Sequence, residues 1–365
     1  MSGSESNGSR FGRFAAAYRV LDQAIAARAF PGCAFGVLAG GDVLLLDGRG
    51  NFTYDPRSPV VGPATVFDIA SLTKVAATTA AAMLLVERGC LDLDRKLGEY
   101  LPAFVAQRAP GDLAREIALR HLLAHSSGLP GYVEFFRTAP DPVSLLRACF
   151  DLRLEAAPGT RAEYSDPGFI LLGKAIEACT GEPLDAFAAR ELFAPLGMSS
   201  TCFNPPPALR AAIPPTEEDM EFRRRRIQGE VQDENAWVLG GVSGHAGLFS
   251  NAPDLLRFAQ AILDAAARPP GLFARAAIEN FARRQPPGGS SRALGWDTPS
   301  ANSSSGRRFS SHSIGHLGYS GCSLWIDLDA NMAVALLTNR TWPDRASQLI
   351  RQVRPAFHNA VREAL

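Results

Sequence analysis

At 365 residues, with 46% apolar and 20% charged side chains, the chain has the composition of an ordinary globular protein and can bury a substantial core in one large or two intertwined domains. A formal charge of zero and a pI near 7.0 give no general attraction to nucleic acid or to a membrane surface. Cys33, Cys90, Cys149, Cys179, Cys202 and Cys322 are scattered without a Cys-x-x-Cys pair, so neither a zinc site nor a redox pair is indicated.

Met1 to Arg13 is polar and Ser/Gly-rich, unlike a signal peptide, so a cytoplasmic location is expected as written, or a periplasmic or secreted one if a leader was removed. Phe14 to Phe30 reads as a helix, with Phe14, Tyr18, Leu21, Ile25 and Ala26 on one stripe. Cys33–Ala39 and Val43–Asp47, separated by Gly40-Gly41-Asp42, read as a β-hairpin. Helix formers from Thr73 to Arg88, stopped by Gly89, predict a helix with Ser71 at its mouth. Further helices are expected over Pro142–Phe150, Asp166–Thr180, Leu184–Ala194 and Ala252–Ala267. Arg223 to Arg226 follows Glu217, Glu218, Asp219 and Glu221, and so reads as a locally neutralised, solvated face. Gly321–Asp327 and Asn331–Thr338 predict a second hairpin, and Arg345–Ala364 a closing helix kinked at Pro355. No stretch approaches the roughly 18 consecutive apolar residues of a membrane span. Strands at both ends with helices between suggest one sheet built from both termini plus a helical insertion.

Ser71 and Lys74 lie three apart, on one face of the first helical turn, where the positive helix end favours an anion beside Ser71 and disfavours charge on the lysine. The same spacing also describes a serine near a helix start with a solvent-exposed lysine. The only lysines are Lys74, Lys96 and Lys174 in a chain that otherwise uses arginine, and an amine, unlike a guanidinium, can serve as a base. Two other stretches offer chemistry without an obvious structural demand: Tyr164-Ser165-Asp166 and Gly315-His316-Leu317-Gly318-Tyr319.

In this order, Ser-x-x-Lys, Tyr-Ser-Asp and His-x-Gly resemble the three motifs of the serine β-lactamase and penicillin-binding protein superfamily, most closely its class C branch. Asp233-Glu234-Asn235-Ala236-Trp237, the Gly240 to Ser250 segment and His121 to Pro130 carry the same resemblance, which extends over nearly the whole chain from Phe14. It implies an α/β fold of the α+β type: a central antiparallel sheet from both termini flanked by helices (residues 1–70 and 235–365), an inserted mainly helical domain (71–234), and an active site in the cleft between them. It further implies that Ser71 forms an acyl-enzyme, that Lys74 and Tyr164 share the proton transfers with a tyrosinate held by the lysine, and that the N–H groups of Ser71 and Tyr319 bind the oxyanion. Gly318 would keep the strand edge open for substrate, with Asp166 and His316 contacting it. No metal or organic cofactor is implied, and the expected partner is a small ester, β-lactam or peptide, without nucleic acid; the sequence does not reveal the oligomeric state.

The chain departs from the family pattern in three places. Asp166 replaces an asparagine, exchanging an amide donor for a carboxylate. His316-Leu317-Gly318 replaces Lys-Thr-Gly, leaving a group charged only part of the time near neutral pH. Gln232 stands where relatives often have histidine. The first two favour an esterase or peptidase over an efficient β-lactamase. The rival reading, a non-catalytic penicillin-binding or sensor protein of the same fold, predicts loss of Ser71, Lys74 or Tyr164, and all three are present. An α/β-hydrolase predicts Gly-x-Ser-x-Gly, which does not occur. His125 and His245 read as structural residues of Gly/Ser-rich turns.

Overall fold

The computed structural model describes residues 12–267 and 271–365; the Ser/Gly-rich opening up to residue 11 lies outside them. The strands are β1 (Gly32–Ala39), β2 (Asp42–Gly50), β3 (Phe67–Asp68), β4 (Cys202–Phe203), β5 (Glu217–Asp219), β6 (Arg225–Ile227), β7 (Leu248–Ser250), β8 (Ser313–Leu317), β9 (Ser323–Asp327) and β10 (Met332–Thr338). The α-helices are α1 (Ala15–Ala26), α2 (Ala80–Glu87), α3 (Leu97–Tyr100), α4 (Pro102–Val105), α5 (Leu119–Leu123), α6 (Pro142–Phe150), α7 (Asp166–Thr180), α8 (Leu184–Ala188), α9 (Glu234–Val238), α10 (Ala252–Ala267), α11 (Arg275–Phe281) and α12 (Ile350–Glu363).

The main sheet is antiparallel throughout in the order β2-β1-β10-β9-β8, so the chain's two ends interleave. Its central strands are apolar on both faces because both are covered. Cys33, Phe35 and Val37 of β1, with Val334 and Leu336 of β10, pack under α1 and α12, where Phe35 meets Tyr18 and Phe357 edge-on at 5.5 and 5.7 Å. Ala34 and Leu38, with Ala333, Ala335 and Leu337, turn to the opposite face and join α10. There a Cβ on Gly36 would lie 2.7 Å from Leu256, so the glycine lets α10 sit close on the sheet. Each large side chain fully buried in these layers contributes about 1.5–3 kcal/mol.

That second core continues without a break from the sheet into Leu84, Leu122, Phe169 and Leu172 of the helical part. The run Ala70–Glu87 has the length and composition of a membrane span, but 83% of it is buried inside the molecule, as suits a core helix. It is not one uniform helix. A 3₁₀ turn over Ala70–Leu72 leads into a π-helical turn over Lys74–Thr79 before α2, a local widening of the kind often found at functional sites. Gly89, at φ +70°, ends the run as expected. Likewise Leu184–Ala194 is α8 followed by a π turn over Ala189–Phe193.

The His-x-Gly stretch closes a strand: β8 ends at Leu317, and a tight turn leads into β9. Arg225 and Arg226 do form surface pairs with Glu230 and Glu218, but Arg223 is buried, donating to Asp219 and to the carbonyls of Val231 and Gln232.

Candidate active site

Ser71 is delivered by a strained turn. Ala70, just before it, has φ +46°, a left-handed conformation costly for a side chain with a Cβ. Asp68 stabilises it, accepting the Ala70 N–H at 2.8 Å with one oxygen and the Gln232 N–H at 2.7 Å with the other. Burial pushes the Asp68 carboxyl up to about 6, against those two hydrogen bonds. Its own carbonyl accepts the Ser320 hydroxyl at 2.8 Å, which ties the Ser71 turn to the β8–β9 turn.

Those two turns touch directly. A Cβ on Gly318 would lie 2.4 Å from the Ile69 carbonyl oxygen. The space a side chain would need is therefore filled by backbone, not by substrate, which corrects the reason expected for this glycine. The approach sets the Ser71 and Tyr319 N–H groups at one mouth, and neither finds a protein acceptor among the described residues.

Lys74 is fully buried and donates to three acceptors: Ser71 Oγ at 2.9 Å, Asp166 Oδ1 at 2.7 Å and the His245 carbonyl at 3.0 Å. Three acceptors satisfy the three N–H bonds of an ammonium. Burial works against that charge, but the Asp166 carboxylate and Tyr164 outweigh it and hold Lys74 above its ordinary range. The neutral lysine expected beside Ser71 is thus not the resting form. Tyr164, half-buried with its hydroxyl in reach of Lys74 and Ser71, is raised by burial, with Lys74 opposing, so it rests as a neutral phenol. Asp166, at the first turn of α7, borders the cleft but gives one oxygen to Lys74.

His316 is only 3% exposed, and its Nδ1–H donates to the Leu317 carbonyl at 2.8 Å. Burial, then the Lys74 and Arg292 cations, push it well below the usual histidine range, so it stays neutral where partial charge was expected. His125 stacks on Tyr164 at 4.5 Å and accepts the Ser165 N–H at 3.0 Å, fixing where α7 begins. The Nε2 atoms of both rings are buried without a partner among the described residues. His245 is held between Ser243 and Asp233 at 2.8 and 2.9 Å. Burial would raise Asp233, but His245 and the Ala236 N–H keep it at about 2.

The cleft encloses about 1170 Å³ and reaches from Ser71, Tyr164 and His316 to the β5–β6 hairpin and the start of α12. The Beta-lactamase family matches residues 18–356 of the chain. The chain belongs to this family, within the serine β-lactamase and penicillin-binding protein superfamily. A relative from Bacillus subtilis (strain 168), an N-acetylmuramyl-L-alanine amidase, is 33% identical over 361 residues, covering 88% of this chain and 80% of that protein. A putative D-alanyl-D-alanine carboxypeptidase of Salmonella typhi is 31% identical over 305 residues, covering 76% of this chain and 69% of its own. Among solved structures, EstCE1, a hydrolase with promiscuous acyltransferase activity, superposes with a TM-score of 0.75 at 22% identity, covering 96% of this chain and 99% of that one. The Beta-lactamase-family fold is shared accordingly: a mixed architecture of antiparallel sheet and helices.

In this β-lactamase-fold hydrolase the seven residues singled out by motif, Ser71, Lys74, Tyr164, Asp166, His316, Gly318 and Tyr319, line or border one cleft. Residues that sequence reasoning passed over are Asp68, which braces the Ser71 turn, and Arg292. The Arg292 guanidinium lies 5.3 Å from the Tyr164 ring in the cleft wall and forms no ion pair among the described residues. Asp68 carried no legible signal, since the strain at Ala70 shows only in the folded backbone. Arg292 carried none, since its loop reaches the site only through the bridge of Asp297 to Gly315.

Proposed function

We propose that this chain is a serine hydrolase that forms an acyl-enzyme on Ser71 and hydrolyses an ester or amide. The observation that carries the reading is Ser71 Oγ at 2.9 Å from Lys74 Nζ, beside the Ser71 and Tyr319 N–H groups, which find no protein acceptor among the described residues. Because Ser71 accepts from Lys74, its own proton is free to point to Tyr164. Loss of one proton from the Lys74–Tyr164 cluster leaves an oxygen or nitrogen able to take that of Ser71. The Ser71 Oγ–carbonyl bond then forms, the leaving group departs with the proton, and water repeats the sequence to release the acid.

The cleft volume suits a substrate larger than a simple acetate ester. An amidase and a putative carboxypeptidase among the relatives support an amide or D-amino-acid peptide, and the neutral His316 weighs against efficient β-lactam turnover. Arg292 offers a substrate anion the cation that the third motif lacks.

The test is release of nitrophenol from p-nitrophenyl acetate and butyrate, together with intact mass after exposure to a fluorescent penicillin, each beside Ser71→Ala and Lys74→Ala. Ser71-dependent release or a Ser71-dependent adduct is expected. No Ser71-dependent signal from any substrate would overturn the reading in favour of a non-catalytic sensor.

A further inference from the structure

Behind the β8–β9 turn, α12 presents Arg354, only 6% exposed. Its guanidinium donates to the Gly318 carbonyl at 2.7 Å, the Cys322 carbonyl at 2.8 Å and the Gly321 carbonyl at 3.1 Å. No carboxylate pairs with it among the described residues. A buried guanidinium is costly unless paired, and one balanced only by carbonyl dipoles keeps an uncompensated field. Burial draws Arg354 down to about 10, which leaves it cationic at neutral pH.

The Gly318 carbonyl and the Tyr319 N–H belong to one planar peptide group. A charge-assisted hydrogen bond at the oxygen draws electron density from the nitrogen and makes the N–H a stronger donor. We propose that Arg354 is a positioning residue for the oxyanion site: it aims and polarises the Gly318–Tyr319 peptide and sets a positive field behind the developing oxyanion. This rests on the Ser71 acyl-enzyme reading. Arg340 supplies the contrast. It donates to the Tyr319 carbonyl at 2.8 Å, so it braces the same turn through the next peptide and leaves the Gly318 oxygen untouched.

The experiment measures kcat and KM for p-nitrophenyl butyrate, affinity for phenylboronic acid and thermal unfolding, in wild type, Arg354→Gln, Arg354→Lys and Arg340→Gln. Phenylboronic acid forms a tetrahedral anion on the serine and so reports the oxyanion site. Arg354→Gln is expected to lose about tenfold in kcat and in boronate affinity together, with KM within about twofold, and Arg340→Gln to lose less. A folded Arg354→Gln with unchanged kcat, or with its whole loss in KM, overturns the proposal. If Arg354→Gln does not fold, Arg354→Lys decides, because an ammonium keeps the charge but lacks the planar fork that meets the Gly318 and Cys322 carbonyls together. About threefold loss in both kcat and boronate affinity is then expected, and unchanged values overturn the proposal. Wild type without Ser71-dependent turnover sinks the hydrolase reading and this inference with it, whereas an active wild type with an unaffected Arg354→Gln sinks this inference alone.

Discussion

Asp166 Oδ1 lies 2.7 Å from Lys74 Nζ, and the fully buried lysine is held as an ammonium by a carboxylate from 92 positions further along the chain. On the proposed mechanism Asp166 opposes deprotonation of both groups that would take the Ser71 proton, since its charge raises Lys74 and Tyr164 alike. The enzyme should therefore gain activity as pH rises above neutrality. Asp166→Asn removes that charge, lowers both groups, and is expected to move the acid limb of kcat/KM down by about one unit or more. A pH–rate profile of both proteins checks it. An unmoved or upward-shifted limb would show that the ion pair does not govern the proton transfer.

Gly318→Ala places a Cβ against the Ile69 carbonyl at 2.4 Å and the Cys322 Cβ at 3.2 Å. Backbone cannot yield as a flexible side chain does, so the Ser71 turn and the Tyr319 N–H must separate. The expected result is a loss of about 1–3 kcal/mol of stability and at least tenfold in kcat. Denaturant unfolding and ester turnover on the same sample measure both.

Arg292 stands over Tyr164 without an anionic partner among the described residues. Arg292→Ala should raise KM for a p-nitrophenyl ester with a free carboxylate in its acyl chain by about tenfold, and change it little for the neutral butyrate. Equal effects on the two esters would assign Arg292 to support of Tyr164 instead.

His358 is fully buried, its Nδ1–H donating to the Ser304 carbonyl at 2.7 Å, and burial depresses it to about 4. A histidine lowered in the folded state contributes stability above its unfolded value near 6.5 and loses it as pH falls towards the folded value. The advantage of wild type over His358→Asn should shrink by about 3 kcal/mol between pH 7 and pH 4. Urea unfolding at the two values tests this, and a constant difference would mean that His358 does not titrate in that range.

Much of the fold was legible because its signals are local. Gly40-Gly41 between two apolar runs specified the first hairpin, and Ser165 ahead of Asp166-Pro167, with Gly181 at φ +73° after Thr180, bounded α7. β3, β4 and β7 were not legible, because two or three residues cannot display a period. Nor was β8 separable from the glycine-rich stretch it ends in.

The sequence by itself determined the neighbourhood of Ser71 where neighbours in sequence are neighbours in space: Lys74 follows three positions later, and one short turn brings the two to 2.9 Å. It also marked Tyr164, Asp166 and the His316–Tyr319 stretch as chemically suggestive. Only the tertiary structure decided their protonation and partners. Whether Lys74 is an amine or an ammonium depends on Asp166 arriving from α7, on burial and on the His245 carbonyl. His316 is neutral because packing removes its water and sets Lys74 and Arg292 nearby. Charge state follows from desolvation and from the summed fields of groups far apart in the chain, and those are fixed only when the sheet from both termini closes against the helices between them.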